Sequence, residues 1–177
     1  FPRGSEWRKW DLQIHTPFSA LNNEYGDDFH HFAKQLIERA IEHNIAVIGI
    51  TDYFTIEGYT ELKKLLANPD ELATLVGKEL AEQAANILFL PNIELRLSTI
   101  VRNAAGEDSR VNLHVLFSDD VAPNDIDEHF LRELNFTVET TPEGRDERWP
   151  LTTTNLERYG ARLKAQHAKF RDRTDKH

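Results

Sequence analysis

The chain has 177 residues, a formal net charge of −9, and neither cysteine nor methionine. That length supports one domain with a real core, and the missing thiols exclude disulfides and thiolate zinc sites. The acidic balance argues against a broad nucleic-acid-binding face, although a local positive groove or a bound cation would still attract phosphate.

Residues 9–15 read as a first strand, followed by a polar loop over 16–27. From Phe29 the set Phe32, Ala33, Leu36, Ile37, Ala40 and Ile41 keeps helical spacing. Asp27 or Asp28 is placed to cap that helix, and His43-Asn44 to end it. Residues 45–50 form a continuous β-branched run, as expected of a strand covered on both faces. The unit predicts a parallel pair joined by a right-handed crossover.

A second helix is predicted over 57–67. A third starts at Asn68-Pro69-Asp70 and buries Leu72, Leu75, Val76, Leu80 and Ala84. A strand resumes over 87–90. Residues 94–102 and 110–118 then flank the turn-rich segment 103–108 and predict a long hairpin. A helix over 125–134, a polar loop over 140–150 and a basic helix over 155–170 complete the reading. Alternating strands and helices place the chain in the α/β class. No run nears the roughly 18 apolar residues that span a bilayer, and residues 1–9 are too polar for a signal peptide. The expectation is therefore a cytoplasmic chain with no membrane partner. The absence even of an initiator methionine suggests a fragment of a longer product.

Polar residues close several of the apolar runs: Gln13 and His15, Asp52 and Tyr53, Glu94, and His114. At the C-terminal ends of parallel strands such residues share one face of a barrel. One carboxylate between two imidazoles suits Zn²⁺, Mn²⁺ or Fe²⁺. Taken singly each residue has a plainer reading. A strand-end histidine is usually only hydrogen-bonded, Asp52 is placed to cap the next helix, and Glu94 suits a surface hairpin. Their recurrence at successive strand ends is what points to a site.

Asp11-Leu12-Gln13-Ile14-His15-Thr16-Pro17-Phe18-Ser19 resembles the first motif of the PHP (polymerase and histidinol phosphatase) domain, with its first His replaced by Gln13. Ile50-Thr51-Asp52-Tyr53 resembles the second motif, with its His replaced by Tyr53. Ile93-Glu94 is similar to the bridging glutamate of that family, and Leu113-His114-Val115 to its next metal-binding histidine. The resemblance covers residues 7–118. Within it, residues 4–11 and 49–54 resemble PHP segments at the N-terminus of AAA- or SMC-like ATPases (TrlF-like).

The resemblance implies a single PHP-like domain over 1–177, a distorted β/α barrel incomplete in this chain. The polar loop and basic helix of 140–177 would lead to a downstream ATPase domain of the same polypeptide. It further implies a metal-dependent phosphoesterase or nuclease acting on nucleic acid or a nucleotide, with a role in phage defence. His15, Glu94, His114 and, more weakly, Gln13 would hold one or two divalent ions (Mn, Zn or Fe). Asp52 and Glu94 would be catalytic, and Tyr53 would contact substrate phosphate. The third site of the family, which would draw on position 53 and on Leu21 or Asn22, is expected to be lost. Glu128-His129 and Ala165-Gln166-His167 are read as surface residues. The alternative is a catalytically degenerate module that binds no ion and serves as a regulatory or interaction platform for the ATPase. Substrate and homo-oligomeric state are left open.

Overall fold

β-branched runs and amphipathic stretches alternate through the first 120 residues. The computed structural model, which describes residues 7–19, 26–139 and 146–168, turns them into a mixed α/β unit. By contact the chain divides into Phe1–Asp120 and Val121–His177. The first unit runs β1 (Lys9–Ile14), α1 (Phe29–Glu42), β2 (Ile45–Tyr53), α2 (Glu57–Leu66), α3 (Pro69–Val76), α4 (Lys78–Ala84), β3 (Leu88–Arg102) and β4 (Asp108–Leu116). Its sheet has the order β1-β2-β3-β4 and curls into half a barrel. The first three strands are parallel, and β4 runs antiparallel to β3.

α1 forms where its apolar period predicts, burying Phe32, Ala33, Ile37 and Ala40. The Asp28 carboxylate accepts from the His31 backbone N–H at 2.9 Å, satisfying one of the donors a helix start leaves open. Asn44 follows the His43 cap with φ 54, a left-handed position that asparagine tolerates. β2 is buried from Val47 to Tyr53, as its unbroken apolar run requires.

Two expectations change in the middle of the unit. The single helix foreseen after Asn68 is two, because Gly77 at φ 88 breaks it between α3 and α4. Leu72, Val76 and Ala84 of its stripe are buried, whereas Leu75 and Leu80 are half-buried. The strand at 87–90 and the hairpin arm at 94–102 are one 15-residue strand, β3. Pro91 does not end it. Its backbone stays extended in register with Ile50, and its carbonyl accepts the Phe117 N–H at 2.9 Å.

The second unit contains α5 (Pro123–His129), a 3-10 turn (Leu131–Glu133), β5 (Asn135–Glu139), β6 (Asp146–Pro150) and α6 (Thr153–Gln166). The expected helix over 125–134 therefore starts earlier and stops at His129. The expected loop over 140–150 ends in a strand: β6 pairs antiparallel with β5, placing Phe136 opposite Trp149. Tyr159 of α6 packs on both rings, with centroids 5.8 and 6.4 Å away. Glu128, His129, Ala165, Gln166 and His167 are exposed, as expected of surface residues.

Among core positions of the first unit, Leu62 on α2 is 0% exposed. Leu62→Ala is expected to cost about 2–5 kcal/mol, read as a lower urea midpoint at unchanged m-value. An unaltered midpoint would show that α2 does not anchor this core.

Candidate functional site

Register across the sheet, more than strand ends, builds the site. Tyr53 on β2 is aligned with Glu94 on β3, and Glu94 with His114 on β4. Side chains at aligned positions share a face, so the three stand in a row. His15 follows directly on β1 and reaches the same row, with its Nε2 3.4 Å from Glu94 Oε2. The expectation of four successive parallel strand ends is thus corrected. Glu94 lies within a long strand and His114 on an antiparallel one, yet His15, Glu94 and His114 do converge.

Glu94 is 0% exposed and carries the site's negative charge. Tyr53 Oη donates to its Oε1 at 2.6 Å, and Asn112 Nδ2 donates to the same oxygen. His114 Nε2 stands 3.8 Å from Oε1. The other oxygen, Oε2, is buried and, among the described residues, has no hydrogen-bond partner; His15 Nε2 stands beside it. Burial, then the hydrogen bond to Glu94 and its charge, push the Tyr53 phenol above its ordinary range, with Arg96 pulling the other way. Tyr53 therefore stays protonated and occupies Oε1 as a neutral donor.

The loop after β1 fixes His15. Its ring stacks on Tyr53 at 5.1 Å and 8°. Ser19 Oγ lies 3.4 Å from His15 Nδ1 and accepts the Tyr53 backbone N–H at 3.1 Å. Holding Nδ1 leaves Nε2 turned toward Glu94, the orientation that a ligand histidine needs. On the far side of the row, Asn92 Nδ2 donates to Thr51 Oγ1 and Leu12 O and lies 3.5 Å from His114 Nδ1. After Tyr53 the chain leaves the sheet through Phe54, held at φ 63 with its N–H on Glu94 O. A bulky residue in that region is strained.

Asp52 is not in the row. Strand alternation turns it to the opposite face, where Oδ1 accepts the Thr16 N–H at 2.7 Å and Oδ2 the Thr16 hydroxyl at 2.8 Å. The expectation that Asp52 works beside the imidazoles is corrected: it ties down the loop that carries His15. Gly58 covers the pair so closely that an added Cβ would meet Thr16 Oγ1 and Asp52 Oδ2. Gln13 is exposed, and its backbone N–H donates to Asp11 Oδ1 at 3.2 Å. Leu21 and Asn22 lie outside the described residues.

The donor set fits one divalent ion in part. Two ligands of a tetrahedral ion with bonds of about 2.1 Å stand roughly 3.4 Å apart, the separation of His15 Nε2 from Glu94 Oε2. A buried carboxylate oxygen without a donor is also the kind of atom that a cation satisfies. Among the described residues no three His, Asp or Glu side chains are already spaced to share one ion. His114 faces the other oxygen, so it would have to turn to complete the set. Asn112 and Arg96 escaped the sequence reading, although each is two residues from a recognised position (His114 and Glu94) and so on its face.

No family model, curated protein or solved structure matches this chain.

Burial raises the Asp52 carboxyl from 3.8 to about 6, against the lowering effect of its hydrogen bonds from Thr16 and Gly58. Between roughly pH 4 and 6 the folded chain therefore keeps a proton that the unfolded chain has released. Stability should fall by up to ~3 kcal/mol as pH rises through that window, and stay level above it. The difference in urea stability between wild type and Asp52→Asn should change across pH 4–6 only; a pH-independent difference would show an ordinary carboxyl. Separately, Gly58→Ala should cost about 1–3 kcal/mol by overpacking the Asp52–Thr16 pair, again by urea unfolding. A wild-type midpoint would mean that the pair yields freely.

Proposed function

We propose that the first unit is a divalent-cation-dependent phosphoesterase acting on nucleic acid or a nucleotide, in a longer polypeptide with an ATPase domain. One observation carries the reading: among the described residues the buried Glu94 carboxylate has no hydrogen bond at Oε2, which stands beside His15 Nε2. The likeness of the four motifs to PHP domains supplies the reaction class, the ATPase context and the role in phage defence. A bound Mn²⁺, Zn²⁺ or Fe²⁺ would supply positive charge at a phosphoryl oxygen and lower the pKa of water. His15 and Glu94 would hold it, with His114 turning in and Gln13 offering a weaker amide oxygen. Tyr53 holds Glu94 Oε1 and stacks His15 in place, and Asp52 positions the loop from behind.

The second reading, a degenerate module serving as a platform for the ATPase, is favoured by a different observation. Tyr53 and Asn112 both occupy Oε1, the oxygen a bridging carboxylate would need for a second ion. This limits the hydrolase reading to a single ion, and a module that binds none satisfies the same contacts.

Calorimetric Mn²⁺ titration combined with nuclease and phosphatase assays separates the two. On the hydrolase reading the wild type binds about one ion and turns over with Mn²⁺. Gln13→His then tightens binding roughly tenfold, and Glu94→Gln abolishes both binding and turnover. If the wild type and Gln13→His are flat in both measurements, the platform reading stands instead.

A further inference from the structure

Arg96 is a charged side chain at the site to which the proposed chemistry gives no task. It lies on β3 two residues beyond Glu94, hence on the same face, and pairs across the strands with Asn112. Its guanidinium sits 5.5 Å from the centre of the Tyr53 ring, the ring on which His15 stacks. Among the described residues no carboxylate forms an ion pair with it. Glu94, on the same face of β3, has its Oε1 covered by Tyr53 and Asn112. Regular pairing of β3 with β4 breaks immediately after Arg96 and resumes at Ile100, and such irregularities re-aim side chains beside sites.

We infer that Arg96 is the phosphate-binding residue of this site, receiving a non-bridging oxygen of a phosphate mono- or diester on its guanidinium. Part of the Arg96 N–H edge is turned to the Tyr53 hydroxyl, and the remaining N–H groups of the planar guanidinium can offer two parallel bonds to an oxyanion, which an ammonium cannot make. Arg96 also supplies the positive charge needed to bring a phosphate near the buried Glu94 carboxylate. The assignment of substrate rests on the hydrolase reading; the binding of the anion does not.

The test has two arms. Phenylglyoxal modification of the full chain, mapped by mass spectrometry, is run with inorganic phosphate and with chloride at matched ionic strength. Phosphate should slow modification of Arg96 at least about fivefold and leave Arg110 on β4 unaffected. In the second arm, Arg96→Gln should raise KM for a Mn²⁺-supported phosphoester about tenfold with kcat little changed, and Arg96→Lys should recover part of that loss. Equal modification of Arg96 in phosphate and chloride overturns the inference, as does an unchanged KM in Arg96→Gln. Protection without any turnover supports the phosphate subsite and removes the hydrolase reading; turnover without protection does the reverse.

Discussion

A carboxylate with no exposure, set on the face of a sheet, is the constraint around which the first unit is arranged. Desolvating Glu94 is costly unless its oxygens are satisfied, and the residues around it act on that requirement. Tyr53 and Asn112 give two neutral hydrogen bonds to one oxygen, and the imidazole of His15 approaches the other. Neutral donors stabilise the charge without cancelling it. The negative charge of the row is thus left on Glu94, with the Arg96 guanidinium at the edge of the same face.

The two faces of the sheet divide the labour between consecutive residues. Tyr53 faces Glu94, and Asp52 faces the helix side, where it accepts two bonds from Thr16. The loop between them closes the circuit: Thr16 is held from one face, and Ser19 reaches the Tyr53 N–H and His15 from the other. The position of His15 is thus set by groups on both sides of the sheet, although only one side carries the candidate chemistry.

Much of this was legible in the sequence, though not always for the reason first given. Periodicity located α1, β2 and α2, because each buries an apolar stripe, and β1 was placed although none of its residues is fully buried. It missed the continuity of β3, since Pro91 reads as a break until its register partner is known. It missed β6, because Asp146, Glu147 and Arg148 give no apolar alternation to detect. His15, Glu94 and His114 converge as expected, but through cross-strand register, which depends on a hairpin pairing that no local pattern encodes. The role of Asp52 was hidden because its partner, Thr16, lies 36 positions earlier.

Gly58 shows how such a contact shapes what sequence change can reach. Its missing side chain is space that the Asp52 carboxylate and the Thr16 hydroxyl already fill. Positions 16, 52 and 58 are therefore packed as one unit, although 42 positions separate the outermost two. A side chain at 58 is accommodated at least cost when Thr16 or the carboxylate at 52 shrinks or shifts. Either change reaches the His15 loop, so drift at a helix glycine has a path into the candidate site without touching any residue in it.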